Sequence, residues 1–398
     1  MQLRAYASIL VATLFLGCVI YLSSELVLYR SNETMNEDEL INRQLETDGL
    51  YFGIARPIGS YKLAVYAMRK PDIVILGSSR AHRQHQEFYN RSTYSMSGSV
   101  VTTDHAIQVL DILVPIHKPQ YVVYNLDFYS LCRLTPFVGN LSSYARPIGP
   151  PRGGIWQQTN RFAVVPKLIA RRAISLQEAA NFAFGRFESS FKGVRLYGLI
   201  AITKHFGFRR DGAVSDVDAT SQDRVQFESA KQDIIRGAGH YPAGCLYDPT
   251  AVANLEFLRQ DMDRAGIKLI IVMPPIAPVM YRLFMAAPDE ISGYYKEWAQ
   301  ESAKRHFPDL HDLVDGSLVG APDSEFSEEV HGGDVSEARM LLKAAQAPGT
   351  ALAEIINRPF LQRLIQERAG TVGLEMSYFQ AADVAVRDLG GTAAVAPP

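Results

Sequence analysis

The strongest constraint on the fold is the alternation of short apolar runs with longer amphipathic segments in the central part of the chain. One helical pattern opens at Asp248, an N-cap acceptor, continues with Pro249 at the first helical position, and ends at Gly266. Strands separated by helices of this length pair in parallel, which predicts an α/β fold. We expect a three-layer sandwich around a central, mostly parallel sheet. The runs predicted to form its buried strands are Ile73–Leu76, Tyr121–Tyr124, Lys268–Met273 and approximately 310–314.

The composition is that of an ordinary globular protein. Of the 398 residues, 47% are hydrophobic and 21% are charged, and the formal net charge is −2. The length suffices for one large domain or two small ones. No cluster of Lys and Arg points to nucleic acid, so a nucleic-acid partner is not expected.

The N-terminus differs from the rest of the chain. Ala5 to Leu22 contains no charged residue, and a run of this length can cross a bilayer as a helix. Arg4 lies just before it and Arg30 after it, so the distribution of positive charge does not decide the orientation. A cleavable signal peptide is the alternative, but no A-x-A-like site follows the run. The pattern favours an uncleaved, single-pass anchor in the inner (cytoplasmic) membrane, with the remainder outside the cytoplasm.

These features divide the chain into four parts. Residues 1–30 form the predicted transmembrane anchor, and the polar, acidic residues that follow indicate a stalk or linker over 31–70. The α/β domain is expected over 71–345, interrupted by an insertion or cap at 133–244 that carries helix-like stretches without a clear strand. A helical extension is predicted for 346–398.

Two cysteines, Cys132 and Cys245, bracket the predicted insertion. In an oxidising compartment they could form a disulfide that joins its two ends. Two cysteines make a sparse pattern, so a pair of buried free thiols stays open as the alternative.

A serine turn follows the first predicted strand, in the stretch "DIVILGSSRAHR" from Asp72 to Arg83. Gly77 allows a sharp strand-to-helix turn, and the turn places Ser78 and Ser79 at the carboxyl end of the strand, where parallel α/β sheets bind ligands. Backbone N–H groups at a helix start can hold an anion, and a serine there is a nucleophile if a base lies within hydrogen-bond reach. The alternative is that these serines only cap a helix.

Other polar residues follow later strands. The segment "YVVYNLDFYS" ends a strand with Asn125 and Asp127, and the loop "FSEEVHGGD" contains His331 three residues after Glu328. Among the remaining histidines, the spacing of His82 and His85 would suit a metal, but no third ligand is evident. We therefore predict neither a metal nor a cofactor.

This set of motifs resembles the SGNH (GDSL-like) hydrolase superfamily, in particular its membrane-anchored, extracytoplasmic bacterial branch with a "GSSR" first block. The resemblance covers about Pro71 to Ala345 without the insertion. It implies that Ser79 is the nucleophile, that the N–H groups of Ser79 and Gly98 form the oxyanion hole, and that His331 is the base.

Two blocks depart from the family pattern. Glu328 occupies the position of the aspartate in the final D-x-x-H block, and a glutamate can also orient the imidazole; Glu329, Asp323 and Asp334 stay open as alternatives. In the third block, Asp127 takes the place of the oxyanion-binding asparagine, and an ionised carboxylate cannot donate a hydrogen bond. The oxyanion hole then has two donors, or Asn125 supplies the third. We expect Asp127 to pair with Arg80 and hold the serine turn.

The resemblance implies a serine-dependent acyl-ester hydrolase or acyltransferase that acts on a cell-envelope or exopolysaccharide substrate through an acyl-enzyme. The expected partners are an acylated glycan or other envelope ester and, for a transferase, a membrane-embedded O-acyltransferase. The altered third block supports an alternative from another class. This alternative is a non-catalytic, SGNH-like protein that binds glycan or scaffolds an envelope complex.

Overall fold

The computed structural model describes residues 2–54, 56–133, 165–172, 174–217, 227–300, 307 and 310–379. The chain forms two compact units, each built from two stretches of sequence. Unit 1 consists of Met1–Tyr61 and Arg146–Arg210, and unit 2 of Lys62–Ala145 and Asp211–Pro398.

Strands and helices are numbered here in chain order. The strands are β1 Leu50–Tyr51, β2 Ile73–Leu76, β3 Thr93–Ser95, β4 Tyr121–Asn125, β5 Ser190–Phe191, β6 Val194–Tyr197, β7 Phe206–Phe208, β8 Val214–Asp216, β9 Lys268–Met273 and β10 Leu310–Asp312. The helices are α1 Gln2–Arg30, α2 Glu37–Thr47, α3 Ile58–Arg69, α4 Thr103–Ile116, α5 Leu176–Ala183, α6 Leu199–Lys204, α7 Glu228–Arg236, α8 Pro249–Ala265, α9 Pro278–Ala286, α10 Asp289–Gln300, α11 Asp334–Ala344, α12 Leu352–Ile355 and α13 Arg358–Arg368.

Helix α1 contains the apolar N-terminal run. Its stretch Ile9–Arg30 has a mean hydropathy of 2.0 and is long and apolar enough to cross a membrane, as an anchor or as a signal sequence. The side chains from Ile9 to Leu22 are mostly exposed, whereas Ser24, Val27 and Leu28 are buried against unit 1. The helix therefore changes from an exposed rod to a packed element near Ser24.

Unit 1 contains a small mixed sheet in which β1 lies between β6 and β7. Strand β1 pairs in parallel with β6 and antiparallel with β7, and β5 pairs antiparallel with β6. The predicted stalk over 31–70 thus contains helix α2 and supplies β1, the central strand of this sheet. The part of the predicted insertion that the structure describes contains strands, although the sequence showed no clear strand there. These strands have two to four residues, too few for apolar alternation to stand out.

Unit 2 contains a sheet of five strands in the order β10-β9-β4-β2-β3. All four pairings are parallel. The α/β class and the parallel sheet are confirmed. In chain order within this sheet the arrangement is 2-1-3-4-5, the order of flavodoxin-like doubly wound sheets, in which ligands bind where the strand order reverses. That point lies between β2 and β4. The three-layer arrangement stays a prediction.

The strand sequences explain this sheet. Every residue of β2 and of β4 is buried, as expected for parallel strands covered on both faces. Helix α8 begins and ends at the predicted signals: Asp248 accepts a hydrogen bond from the Thr250 N–H, and Gly266 ends the helix with a φ of 68°.

A disulfide joins Cys132 and Cys245 in unit 2. The chain on either side is also paired, because Cys132 and Tyr247 form an antiparallel bridge and the Arg133 N–H donates to the Leu246 carbonyl at 3.0 Å. The predicted disulfide is therefore present, and it fastens residues around 245 to the segment that follows β4.

Candidate active site

The serine turn begins where β2 ends. Gly77 has a φ of 152°, and a Cβ there would lie 2.9 Å from the Asn125 Cβ and 3.1 Å from that residue's carbonyl oxygen. A side chain at position 77 would therefore clash with β4. Ser78 caps the short 3-10 helix Ser79–Ala81 by accepting a hydrogen bond from the Arg80 N–H at 3.2 Å.

The structure brings Ser79 and His331 together. The Ser79 Oγ lies 2.6 Å from the His331 Nε2, across 252 residues of sequence. Ser78 is turned away from this pair, and its hydroxyl accepts a hydrogen bond from Tyr129 at 3.4 Å. The predicted contact, and the assignment of Ser79 rather than Ser78 to it, agree with the structure.

The other imidazole nitrogen, His331 Nδ1, pairs with the carboxylate of Glu328. The hydrogen bond from His331 lowers the pKa of Glu328; desolvation opposes this shift, and the nearby charge of His331 reinforces it. An ionised carboxylate accepts the Nδ1–H, which leaves the lone pair of Nε2 directed at the serine hydroxyl. The His331 side chain is 23% exposed, so solvent can reach the pair.

The three alternative carboxylates have other partners. Glu329 Oε1 lies 3.3 Å from His240 Nδ1, Asp334 Oδ1 lies 2.8 Å from the Nε2 of His85, and Asp323 accepts a hydrogen bond from the Val279 N–H at 2.9 Å. Among the candidates, the structure therefore assigns Glu328 to His331.

The predicted oxyanion donors are less simply arranged. The Gly98 N–H donates to the Ser78 carbonyl at 3.0 Å. The Asn125 amide donates to the Leu76 carbonyl at 3.1 Å and accepts from Gln84 at 2.6 Å. An oxyanion role for either group requires exchange of these bonds and stays a prediction. The Ser79 N–H is at the first position of its 3-10 helix, where no carbonyl of the same helix can accept it.

Gly98 has a steric reason to be glycine. Its φ is 80°, and a Cβ at this position would lie 2.9 Å from the His82 Nε2. The His82 ring therefore lies against the Gly98 backbone. Burial lowers the pKa of His82 well below its ordinary value, and the positive charges of Lys62 and His331 lower it further. His82 is thus a neutral imidazole close to the Ser79–His331 pair at neutral pH.

Arg80 is a buried connector between the loops that carry the pair. Its Nε donates to the Val330 carbonyl at 2.9 Å, and its Nη2 donates to the carbonyls of Pro274 at 2.6 Å and Pro275 at 2.9 Å. Its Nη1 lies 3.3 Å from Asp127 Oδ1, and both side chains are 1% exposed. The predicted Arg80–Asp127 ion pair is present.

A second buried network joins the same loops and was not anticipated from the sequence. Gln84 Nε2 donates to Asn125 Oδ1 at 2.6 Å and to Glu337 Oε2 at 2.9 Å, and the Tyr89 hydroxyl donates to Gln84 Oε1 at 2.8 Å. Burial raises the pKa of Glu337 to about 8, against the opposing effects of the Gln84 hydrogen bond and of Arg80. No local motif marks these residues.

His240 was also missed, because it lies in the segment interpreted as an insertion. Its ring lies 5.3 Å from the Tyr129 ring at an interplanar angle of 30°, and its positive charge lowers the pKa of Glu328. The histidine precedes Cys245 by five residues, so the disulfide holds its loop near the site. The proximity of a histidine to a paired cysteine is the only sequence signal that could have indicated it.

His85, Glu87 and Asp211 are buried and offer ligand atoms that all lie within 4.8 Å of one another. Each carboxylate oxygen of Asp211 accepts a backbone N–H, from Gln86 at 2.8 Å and from Ala213 at 3.0 Å. His85 pairs with Asp334. These bonds give His85 and Asp211 partners within the protein.

The raised pKa of Glu337 gives a testable pH dependence. The folded-state pKa of about 8 lies above the ordinary value of 4.5. The contribution of Glu337 to the free energy of unfolding is therefore fully present below pH 4.5, decreases as the pH rises above 4.5, and is lost once the pH has passed 8. Glutamine does not titrate. We therefore expect the stability of Glu337→Gln relative to wild type to increase between pH 5 and pH 9, by up to a few kcal/mol at about 1.4 kcal/mol per pKa unit.

Thermal unfolding of both proteins at the two pH values measures this change, because groups common to both cancel in the difference. Glu297→Gln, an exposed position on α10, is the matched control for the change of charge. A difference between Glu337→Gln and wild type that is constant from pH 5 to pH 9 would contradict the prediction.

Comparison of the chain with models of protein families, with curated proteins and with solved structures finds no match. The site is therefore interpreted from its own geometry: at the carboxyl edge of a parallel sheet, a serine hydroxyl is hydrogen-bonded to a histidine, and the other ring nitrogen of that histidine pairs with a glutamate.

Proposed function

We propose that the chain is a serine-dependent acyl-ester hydrolase or acyltransferase. The observation that carries the proposal is the 2.6 Å distance between Ser79 Oγ and His331 Nε2, with Glu328 at the opposite ring nitrogen. Acyl transfer through a serine requires a nucleophile beside a base and a carboxylate that orients the base.

In the proposed reaction, His331 Nε2 takes the proton of the Ser79 hydroxyl while Oγ attacks the ester carbonyl. Glu328 stabilises the resulting imidazolium through Nδ1. The tetrahedral intermediate then collapses, His331 returns the proton to the leaving alcohol, and the acyl group remains on Ser79. Water as the second acceptor completes an esterase cycle, and a glycan hydroxyl completes a transferase cycle.

Oxyanion stabilisation is proposed to come first from the Ser79 N–H. The Gly98 N–H, which donates to the Ser78 carbonyl at 3.0 Å, would leave that carbonyl and donate to the oxyanion as a second donor. Removing one such donor typically costs about 10²–10³ in rate. Neutral His82 lies against the Gly98 backbone.

The proposal includes a location. Helix α1 anchors the chain in the inner membrane as a single span, and the site faces the extracytoplasmic side. The Cys132–Cys245 disulfide supports this orientation, because disulfides persist in oxidising compartments and are rare in the cytosol. An anchored enzyme outside the cytoplasm meets acylated envelope glycans and related esters, which are the proposed substrates, and a membrane O-acyltransferase could supply the acyl group.

A second candidate is a non-catalytic protein that binds glycan or scaffolds an envelope complex. The specific observation in its favour is that the amides of Gly98 and Asn125 are hydrogen-bonded within the protein. Such a protein retains the Ser79–His331 contact as a structural remnant and does not react with acyl donors.

One labelling experiment separates these candidates and tests the location. A membrane-impermeant fluorophosphonate probe is added to spheroplasts that express the full chain, before and after lysis. We expect wild type and Ser78→Ala to be labelled in intact spheroplasts, and Ser79→Ala to remain unlabelled. Labelling only after lysis would place the site in the cytoplasm, and absence of labelling in both states would favour the non-catalytic protein.

A further inference from the structure

The membrane-proximal part of unit 1 carries an exposed surface that the proposed reaction does not use. The side chains of α1 from Ile9 to Leu22 are mostly exposed, whereas Ser24, Val27 and Leu28 are buried, so the folded unit begins near Ser24. At about 1.5 Å of rise per residue, Arg30 lies roughly 9 Å beyond Ser24 along the helix. If α1 crosses the bilayer as proposed, this distance is comparable to the depth of the lipid headgroup region.

Arg30 joins a second helix to α1 at this level. Its Nη1 donates to the carbonyls of Phe182 at 2.9 Å and Ala183 at 2.7 Å, which are the last two residues of α5. At the other end of α5, Ser175 and Glu178 form a capping box. Both ends of α5 are thus well defined, and its C-terminal end is fixed to the membrane-proximal segment of α1.

Large apolar side chains at the ends of α5 are exposed. Leu176 is 72% exposed and Phe184 is 73% exposed. Among the residues that the structure describes, four exposed cations flank them in sequence: Lys167, Arg171, Arg172 and Arg186. The Arg186 guanidinium lies 5.9 Å from the centre of the Phe184 ring. Exposed Leu and Phe next to Lys and Arg form the composition of segments that lie in a membrane interface.

We propose that this α5 surface, formed by Lys167, Arg171, Arg172, Leu176, Phe184 and Arg186, binds the anionic lipid headgroups of the bilayer that α1 crosses. The cations pair with headgroup phosphates, while Leu176 and Phe184 enter the boundary between headgroups and acyl chains. The surface is basic although the whole chain has a formal net charge of −2. Arg30, at the end of the predicted span, is hydrogen-bonded to the end of α5. The α5 surface is therefore held close to the bilayer, which is the binding partner that we propose.

The test compares lipid retention by the full-length chain in detergent micelles. Native mass spectrometry measures the binding of phosphatidylglycerol and of phosphatidylcholine, added in equal amounts. We expect wild type to prefer phosphatidylglycerol, and the triple variant Lys167→Gln, Arg171→Gln, Arg172→Gln to lose this preference by about tenfold or more, since each cation near an anionic surface contributes severalfold. The double variant Leu176→Ser, Phe184→Ser should weaken the binding of both lipids.

A matched control removes the same charges elsewhere. Lys343→Gln, Arg363→Gln, Arg368→Gln changes one lysine and two arginines at exposed positions of α11 and α13. This control should retain the preference of wild type. Equal loss in both triple variants, or no preference in wild type, would overturn the proposal. Binding of soluble glycerol phosphate at the same residues, without lipid preference, would assign a soluble anion and equally overturn it.

Discussion

Replacement of Ser79 or of His331 with alanine is expected to lower kcat for an acyl ester by about 10³-fold or more, and replacement of both is expected to lower it no further. The reason is that Ser79 Oγ and His331 Nε2 share one hydrogen bond of 2.6 Å and act as a unit. Without Ser79, His331 has no hydroxyl to deprotonate. Without His331, the Ser79 hydroxyl has no base to activate it.

Kinetics of the two single variants and the double variant with a p-nitrophenyl ester measure this effect. Ser78→Ala is the control, because the Ser78 hydroxyl contacts Tyr129 and the Arg80 N–H rather than His331. We expect it to retain most of the activity. A double variant whose loss equals the product of the two single losses would show that the residues act independently and would contradict the shared mechanism.

The Ser79–His331 contact could be predicted because both residues follow strands that the sequence marks strongly. The run Ile73–Leu76 is buried at every position, and β9 is buried from Leu269 to Met273, whereas the short β10 contains a single apolar residue, Leu310. Parallel pairing gathers the carboxyl ends of such strands at one edge, whatever their separation in sequence. The sheet type brings the loops that follow these strands to one edge, and the resemblance stated in the sequence analysis singled out Ser79 and His331 within those loops.

Unit 1 could not be predicted by the same reasoning. Its strands are short, and the central pairing joins Leu50 to Leu196 and Tyr51 to Tyr197. Two-residue segments have no detectable period, and contacts between such distant residues depend on tertiary packing rather than on local preference. The polar residues of 31–70 were consequently interpreted as a stalk. Glu33, for example, is a buried acceptor for the N–H groups of Ile54 and Leu199.

The details of the site show a similar limit. The Gly98 N–H was predicted to donate to an oxyanion, and in the structure it donates to the Ser78 carbonyl. Competition between neighbouring hydrogen-bond acceptors is decided by distances of a few tenths of an ångström, which no sequence pattern specifies. The Arg80–Asp127 pair was easier to predict, because both residues lie at the ends of adjacent parallel strands.

Arg80→Ala is expected to destabilise unit 2 by about 3–5 kcal/mol, the usual cost of removing one member of a buried ion pair. Both side chains of the pair are 1% exposed, so the loss would leave Asp127 as a buried charge without its cation. The carbonyls of Val330, Pro274 and Pro275 would also lose their donors. A loss of this size corresponds to a decrease in melting temperature on the order of 10 °C.

Arg80→Lys should recover little of this stability. Arg80 donates in several directions from a planar fork, and an ammonium group cannot reproduce that geometry. Arg264→Ala, which removes an arginine with a side chain that is 67% exposed, is the control and should change the melting temperature by only a few degrees at most. Thermal unfolding of the three variants in the same detergent measures the difference.

Arg80→Lys should also change the distance between Ser79 and His331. Arg80 follows Ser79, and its acceptor Val330 precedes His331, so the guanidinium sets the spacing between nucleophile and base. At a temperature where Arg80→Lys is fully folded, the rate of fluorophosphonate labelling at Ser79 should fall at least tenfold, since a displacement of about 1 Å can cost 10²-fold in rate. Unchanged labelling in a folded Arg80→Lys protein would restrict Arg80 to a stabilising role.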